Sequence, residues 1–537
     1  MTTFFLILCL IVIGVAPTHF SFAQTPQKRT LALEKVAALT GPPYFATIAA
    51  QVKTGINKEL GLAKLDTLLT LERGDMFWMY GCAGLYFSCK KELPDSYKWK
   101  IRNAWKKCTP YRGDTENHFL MYYSSLYLMS QEWPSLPEGE WFLGKSSEEI
   151  HKESREYLRH WINEISTVGM MEFDSPRYMY YFITPLVLLS EYARDDDDKF
   201  LFTMALELVL ADYAHDYYFG NYVGAHSRVG FESPFDTRNS ESSTYGDFYF
   251  EEKSTHFLPD VAFAAIASFS CPEIIRSIAT KKQFPFESHE QKRGRTTLRY
   301  TYLKNALVTK KLYATEKYAL GSIGGGLVSP IQQQSWSLVI NTPKPNNIIT
   351  GLHPYIAKEE LGMFFPEEPE WQLKRIEDVK QGYSNPDKWV GGSPYETLLQ
   401  NGNSIEASYT NVPSKVRTQS INIRIPAWVS ISERTFRDVS MLDVDCESFK
   451  VELELPSVYE RKGDSVSRCF SARFSDGAAK YSLHIQDGSK VTPSPILTDY
   501  LFYSPYIVSQ RNTGILLITY GGKKRLYDFK KGKMEVD

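Results

Sequence analysis

Two textures divide the chain. From Thr30 to about Phe284, apolar residues recur at intervals of three and four, as they do on helices with one buried face. Pattern and capping residues predict helices over Pro43–Glu59, Asp75–Cys89, Ser96–Lys107, Thr115–Gln131, Ser147–Ser166, Ser175–Arg194 and Lys199–Tyr217, then Leu258–Ser270 and Pro272–Lys281. From about Thr297 the pattern shortens to strand-length pieces. Tyr300–Tyr302, Tyr318–Leu320, Trp336–Ile340, Ser420–Ile425, Lys450–Leu455, Lys480–Ile485 and Gly514–Thr519 alternate or run apolar between Pro, Gly and Asn. Consecutive helices with short connections point to helix hairpins, in a solenoid or a closed toroid, and no fixed-length repeat favours the solenoid. The strand region reads as one or two antiparallel β-sandwiches. The expected fold is therefore multidomain α+β: an (α/α) toroid over 24–290 followed by a β-sandwich region over 291–537.

The first residues change the picture of where the chain works. Phe4–Ala16 is an apolar run too short to span a membrane comfortably, and Ser21-Phe22-Ala23 supplies small residues for a secretory cleavage site. Residues 1–23 thus read as a signal peptide, although only Met-Thr-Thr precedes the apolar run. The expected location is secreted or periplasmic. Net charge is −2, so nothing global favours nucleic acid or an anionic membrane as partner. Six cysteines follow the signal segment, an even number that suits an oxidising compartment. Cys446 with Cys469 is the expected bridge. Zinc is disfavoured, because neither CxxC nor HExxH occurs, and no motif calls for a cofactor. The acidic run Asp195–Asp198 reads as a solvated turn.

Three stretches carry candidate chemistry. In Thr115-Glu116-Asn117-His118, Thr115 is a good N-cap, which places Asn117 and His118 in a first helical turn. The unpaired N–H groups there favour a bound anion and bias His118 toward its neutral, proton-accepting form. In Glu172-Phe173-Asp174-Ser175-Pro176-Arg177-Tyr178, Ser175 reads as an N-cap and Pro176 as the first helical residue, which puts Tyr178 where His118 stands in the other helix. The bland reading of each is a capping box or a buried aromatic. The third stretch is Gly224-Ala225-His226-Ser227-Arg228-Val229-Gly230, a loop in which Arg228 offers a planar fork for a carboxylate or sulfate. Ser227 has no GxSxG context and no acid partner, which excludes a serine hydrolase. Tyr245 is a further candidate, and His353, Trp371 and Trp389 are possible ligand contacts in a loop-rich stretch.

A helical toroid followed by β-sheet domains behind a signal peptide resembles secreted polysaccharide lyases of the chondroitin-lyase and heparinase II/III type, and is similar to toroid lyases acting on alginate or glucuronan. The three motifs look like a set that recurs in such proteins. The resemblance implies β-elimination on a uronic-acid glycan. Asn117 would neutralise the uronate carboxylate, His118 would remove the C5 proton, and Tyr178 would protonate the leaving oxygen. His226 is the alternative base, but no Tyr follows it as the chondroitin type requires. Arg228, Glu116, Glu172 and Tyr245 are the expected substrate contacts, and the partner is an anionic polysaccharide. Two other readings remain. A glycoside hydrolase on the same scaffold would need two carboxylates about 5 to 9.5 Å apart, for which Glu116, Glu172, Asp174 and Glu232 are available. A non-catalytic glycan-binding protein would suit the 14% aromatic content.

Overall fold

A computed structural model describes residues 25–537 apart from 71–72, 108, 114, 142–143, 231–233, 253, 255, 295–306, 330–331, 354–388, 417, 457–458 and 489–496. The signal segment, the strand expected at Tyr300–Tyr302, Trp371 and Glu232 lie outside the described residues.

Helices fill the N-terminal half: α1 (Pro26–Ala37), α2 (Phe45–Thr54), α3 (Lys58–Leu69), α4 (Met76–Cys89), α5 (Asp95–Lys107), α6 (Glu116–Glu132), α7 (Ser147–Thr167), α8 (Tyr180–Tyr192), α9 (Asp196–Asp216), α10 (Ser243–Tyr249), α11 (Val261–Ile266) and α12 (Glu273–Thr280). Their composition sorts them. α7 is amphipathic, with a complete capping box at Ser146 and Glu149 and a buried stripe through Ile150, Leu158, Trp161 and Ile165. α4, α6 and α8 are buried almost all round. The packing follows from this difference. α2 packs on α4, α4 on α6, α6 on α8, α8 on α11, and α11 returns to α2, while α1, α3, α5, α7 and α9 lie against members of that cycle. Gly81 and Gly84 allow α4 to sit this close. A Cβ at Gly81 would come within 2.6 Å of the Phe45 ring, and one at Gly84 within 2.8 Å of Phe263.

Several boundaries differ from expectation. The predicted Pro43–Glu59 helix is two pieces, because Gly55 turns left-handed (φ 81°) and ends α2. Ser175 does not start α8. It caps a single turn, accepting from the Tyr178 N–H at 2.9 Å, and the helix proper begins at Tyr180. Asp195–Asp198 is more than a solvated turn. Asp195 caps α9, and Asp198 is buried against Arg155, Arg159 and Tyr127.

The C-terminal half is antiparallel sheet. An unbroken series runs from strand Phe286–Arg293 through Leu307–Ala314, Tyr318–Ile323, Trp336–Ile340 and Ile348–Leu352. Ser420–Pro426 extends it on one side and Tyr500–Tyr503 on the other, within a sheet that has thirteen strands among the described residues. A second sheet has six strands, from Glu396–Asn401 to Ser430–Phe436. The central strands are buried on both faces. Val339 joins the core of the helical half, whereas its neighbours Leu338 and Ile340 join the core shared with the six-stranded sheet. Trp336 links the two sheets by donating to the Tyr481 hydroxyl at 2.7 Å. Cys446 follows a strand of the smaller sheet and Cys469 lies in the larger one. Cys446 keeps a buried free thiol, pushed up to about 12 by burial, so the expected bridge does not form.

Strand Phe286–Arg293 (FESHEQKR) lies earlier than the change of texture at Thr297 predicts. It has no apolar run, yet it is almost fully buried. Its charged side chains make the seam between the two halves, described next.

Candidate functional site

The three motifs meet. α6 opens at Thr115, whose hydroxyl makes no bond to the helix backbone and instead accepts from the Asn117 amide at 3.1 Å. The unpaired first-turn N–H of Asn117 donates to Glu172 Oε2 at 2.9 Å, and the Asn117 side-chain amide donates to the same oxygen at 2.5 Å. Glu116 reaches back, with Oε2 accepting from the main-chain N–H groups of Met171 and Glu172, each at 2.8 Å. Two segments therefore exchange carboxylates, each meeting the other's unpaired backbone donors. Glu116 Oε1 also accepts from Trp161 at 3.1 Å and from Arg293 at 2.8 Å. Burial raises the Glu116 carboxyl, and Arg293 offsets only part of that rise.

The His226 loop is clamped onto this bracket. Ser227 donates to the Phe173 carbonyl at 2.7 Å, Ser175 donates to the Arg228 carbonyl at 3.0 Å, and His226 pairs its backbone with Gln334 of the sheet half. Arg228 holds φ at 53°, a left-handed conformation that a non-glycine residue keeps only when its surroundings impose it. The strained turn aims the guanidinium across the bracket. Nε lies 2.8 Å from Glu172 Oε1, as a close ion pair without hydrogen-bond alignment, and Nη1 donates to Gln332 Oε1 at 2.5 Å. The guanidinium carbon stands 4.6 Å from the centre of the Tyr178 ring.

Rings connect the exposed candidates. His118 meets Phe77 edge-on at 5.4 Å, Phe77 meets Tyr181 at 5.2 Å, and Tyr181 stacks on Tyr178 at 6.0 Å. His118 and Tyr178 are half-buried, and Phe77 is 36% exposed. The starts of α4, α6 and α8 thus present one continuous rim, from His118 through two aromatic rings to Tyr178 and Arg228. Gly113 sits under His118, where a Cβ would come within 2.4 Å of Nδ1. Phe77 and Tyr181 carry no chemistry of their own and are invisible to a search for proton-active residues. The aromatic crowding at helix starts is the signal that points to them.

The remaining candidates lie inside. Asn117 is fully buried, as are Glu116 and His226, and Glu172 is 1% exposed. Tyr245 is also fully buried, away from the rim, with its hydroxyl 2.5 Å from Thr184 Oγ1 and donating to the Asp260 carbonyl at 3.2 Å. His353 is buried between Ser393 and the Thr418 carbonyl, and Trp389 meets Phe235 edge-on at 5.8 Å. The His226 Nδ1 lies 2.6 Å from the Asp174 carbonyl, and burial, reinforced by Lys310, depresses its imidazole to about 4.

Behind the bracket lies the ionic seam. Lys292 reaches Asp174 at 3.1 Å, Asp212 at 2.8 Å and Glu290 at 2.8 Å, and Lys310 reaches Asp174 at 2.6 Å and also Asp216. His215 Nδ1 lies 2.9 Å from Asp216. Burial opposes every one of these charges. Lys292 and Lys310 overcome it at Asp174, and Lys310 with the hydrogen-bonded His215 does so at Asp216, so both carboxyls fall below the usual range, whereas Asp212 stays well above it. Two carboxylate groupings here, His215–Asp216–Glu290 and Asp174–Asp212–Asp216, bring ligand-type atoms within 4.8 Å. The ammonium groups of Lys292 and Lys310 already lie between these carboxylates and act as their counter-charges.

No protein-family model matches the chain, and no curated protein matches it either.

Proposed function

We propose that the chain is a polysaccharide lyase that cleaves a uronic-acid-containing glycan by β-elimination at the His118–Tyr178 rim. The observation that carries this reading is the ring-to-ring path His118–Phe77–Tyr181–Tyr178, with Arg228 over Tyr178. It joins two half-buried, proton-active side chains, with the mostly buried Arg228 guanidinium behind Tyr178. Elimination needs all three functions: a base for the C5 proton, an acid for the leaving oxygen, and a donor that quenches the growing carboxylate charge. His118 is the base and Tyr178 the acid. Arg228 takes the quenching role, since among the described residues its Nη2 is left over after Glu172 and Gln332. Asn117 acts one step behind, by holding Glu172 against Arg228.

The cyclic packing of α2, α4, α6, α8 and α11 supports an (α/α) toroid, and the core shared by the two sheets supports a β-sandwich region. The apolar leader supports secretion, and among the described residues no helix is long and apolar enough to cross a membrane. The buried state of Glu116 and Glu172 disfavours the hydrolase. Glu116 accepts four hydrogen bonds, and Glu172 is tied to Asn117 and Arg228, so neither is placed to protonate a glycosidic oxygen. The test is incubation of the purified protein with alginate, glucuronan, polygalacturonate and chondroitin, followed by ultraviolet absorbance. Unsaturated product from one of them, absent with His118→Ala, is expected. Reducing ends released without that absorbance would replace the lyase by a hydrolase.

A further inference from the structure

A second surface, distant in sequence from the rim motifs, has its own chemistry. Strands Ile515–Tyr520 and Lys523–Asp528 are joined by Gly521-Gly522, both at positive φ (57° and 80°), the backbone of a tight two-residue hairpin. A Cβ at either glycine would meet nothing within 4 Å, so the turn stands free. It faces the segment leading from α12 into strand Phe286–Arg293, and between them lies a cleft of about 310 Å³. Pro285, Phe286, Tyr506 and Tyr520 supply its apolar wall, and Lys523 and Lys524 its edge.

The wall is preorganised. Phe286 and Tyr506 meet edge-on at 5.7 Å, and Tyr506 and Tyr520 lie 6.1 Å apart at a 31° tilt. Main-chain groups hold both hydroxyls. Tyr520 donates to the Lys281 carbonyl at 2.6 Å, while Tyr506 donates to the Gln283 carbonyl at 3.0 Å and accepts from its N–H at 2.7 Å. The rings therefore cannot turn away from what enters the cleft.

The edge is charged and uncompensated. Three other cations of this C-terminal stretch have partners: Arg525 pairs with Glu207 at 2.7 Å, Lys530 donates to the Asn512 carbonyl at 2.6 Å, and Lys531 pairs with Asp528 at 2.9 Å. Lys523 and Lys524 are exposed, and their ammonium groups have no partner among the described residues. Among the described residues no Asp or Glu lines the cleft. Asp537 lies across the strand pair from Lys524, its N–H donating to the Lys524 carbonyl at 3.1 Å, but forms no ion pair with it; two unpaired ammonium groups beside fixed aromatic rings form a site matched to an anion that also has an apolar face.

We infer that this cleft is a non-catalytic binding site for an acidic saccharide, with a pyranose ring against Tyr520 and Tyr506 and its carboxylate at Lys523 and Lys524. The choice of a uronate glycan as occupant rests on the function proposed above. A neutral glycan would leave both lysines idle, and a simple anion would leave the rings idle.

Native electrophoresis through gels containing alginate or polygalacturonate, with dextran as the neutral control, tests this on the full chain. The protein should be retarded by at least one polyuronate and not by dextran. K523A/K524A should weaken the apparent affinity about tenfold at low salt, with the difference shrinking as salt screens it. Tyr520→Ala should weaken it several-fold, and K530A/K531A, which removes equal charge outside the cleft, should change it little. Equal losses in the two double-lysine variants would reduce the effect to diffuse charge and overturn the site, as would retardation by dextran. Retardation needs no turnover, so the two proposals fail separately. A protein retarded as expected but forming no unsaturated product sinks the lyase reading alone. One that forms the product but is retarded independently of Lys523 and Lys524 sinks this site alone.

Discussion

The rim at the starts of α4, α6 and α8 and the ionic seam behind it are built from the same kinds of side chain and meet opposite fates. At the rim, His118 and Tyr178 are half-buried and touch neighbouring aromatic rings, and Arg228 Nη2 has no partner among the described residues. In the seam, Asp174, Asp216, Lys292 and Lys310 are at most 1% exposed, and each charge is met by others within about a hydrogen-bond length. One heptapeptide feeds both regions: Glu172 and Asp174 turn inward, whereas Arg177 and Tyr178 remain partly exposed. Polar residues of one motif thus divide between a half-buried rim and a sealed scaffold, and the divider is burial with saturation, not residue type.

The comparison breaks first at His118. His118→Ala should lower kcat/KM on the active polyuronate about a hundred- to ten-thousand-fold with the melting temperature nearly unchanged, since proton transfer contributes about that much and a rim side chain contributes little to the core. A large loss of stability there would move His118 to the scaffold side. Lys310→Met makes the opposite forecast. It takes from Asp216 its lysine partner and leaves Asp174 and Glu290 with Lys292 alone, and should cost about 3–5 kcal/mol of folding stability by urea titration. A neutral result would show the seam to be dispensable.

His226 sharpens the contrast through pH. Its imidazole is depressed to about 4 in the fold, from 6.5 when unfolded. Between these values the unfolded chain binds the extra proton, so stability rises with pH across about 4 to 6.5 and its full contribution is present above 6.5. His226→Gln should remove that slope, so wild type gains on the variant by roughly 2–3 kcal/mol from pH 4 to 7. A difference independent of pH would refute the buried neutral imidazole. The smallest effect belongs to Arg228→Lys. Lysine cannot serve Glu172, Gln332 and a substrate together, so kcat/KM should fall about tenfold, with a stability loss of about 1 kcal/mol from the weakened ion pair. Intact kinetics with the stability loss alone would make Arg228 a purely structural residue.

Much of the helical half is legible in the sequence, because periodicity and caps speak locally. Thr115 stands at the N-cap position read from the sequence, the helices expected from Asp75 and Ser147 start at Met76 and Ser147, and α4 to α7 end within two residues of expectation. Strand Phe286–Arg293 was illegible for a physical reason. Its polar side chains are buried by partners more than 70 residues away, at Asp212, Asp174 and Glu116, which no local pattern encodes. The site is legible by half. The motifs foretell that the Thr115, Glu172 and His226 stretches meet. They do not foretell that Glu116 and Glu172 would each commit one carboxylate oxygen to backbone donors of the other segment, nor that Phe77 and Tyr181 would join His118 to Tyr178.

The strand that closes the seam also fixes when the protein can finish folding. Phe286–Arg293 pairs on one edge with Leu307–Ala314, but on the other with Tyr500–Tyr503, more than 200 residues later. A chain emerging from the ribosome can assemble its helices early, yet the far edge of this strand stays open until nearly the whole polypeptide has been made. Until then an unpaired β-edge flanks the charges that must be sealed inside, which makes the last forty residues the natural substrate of any chaperone attending synthesis.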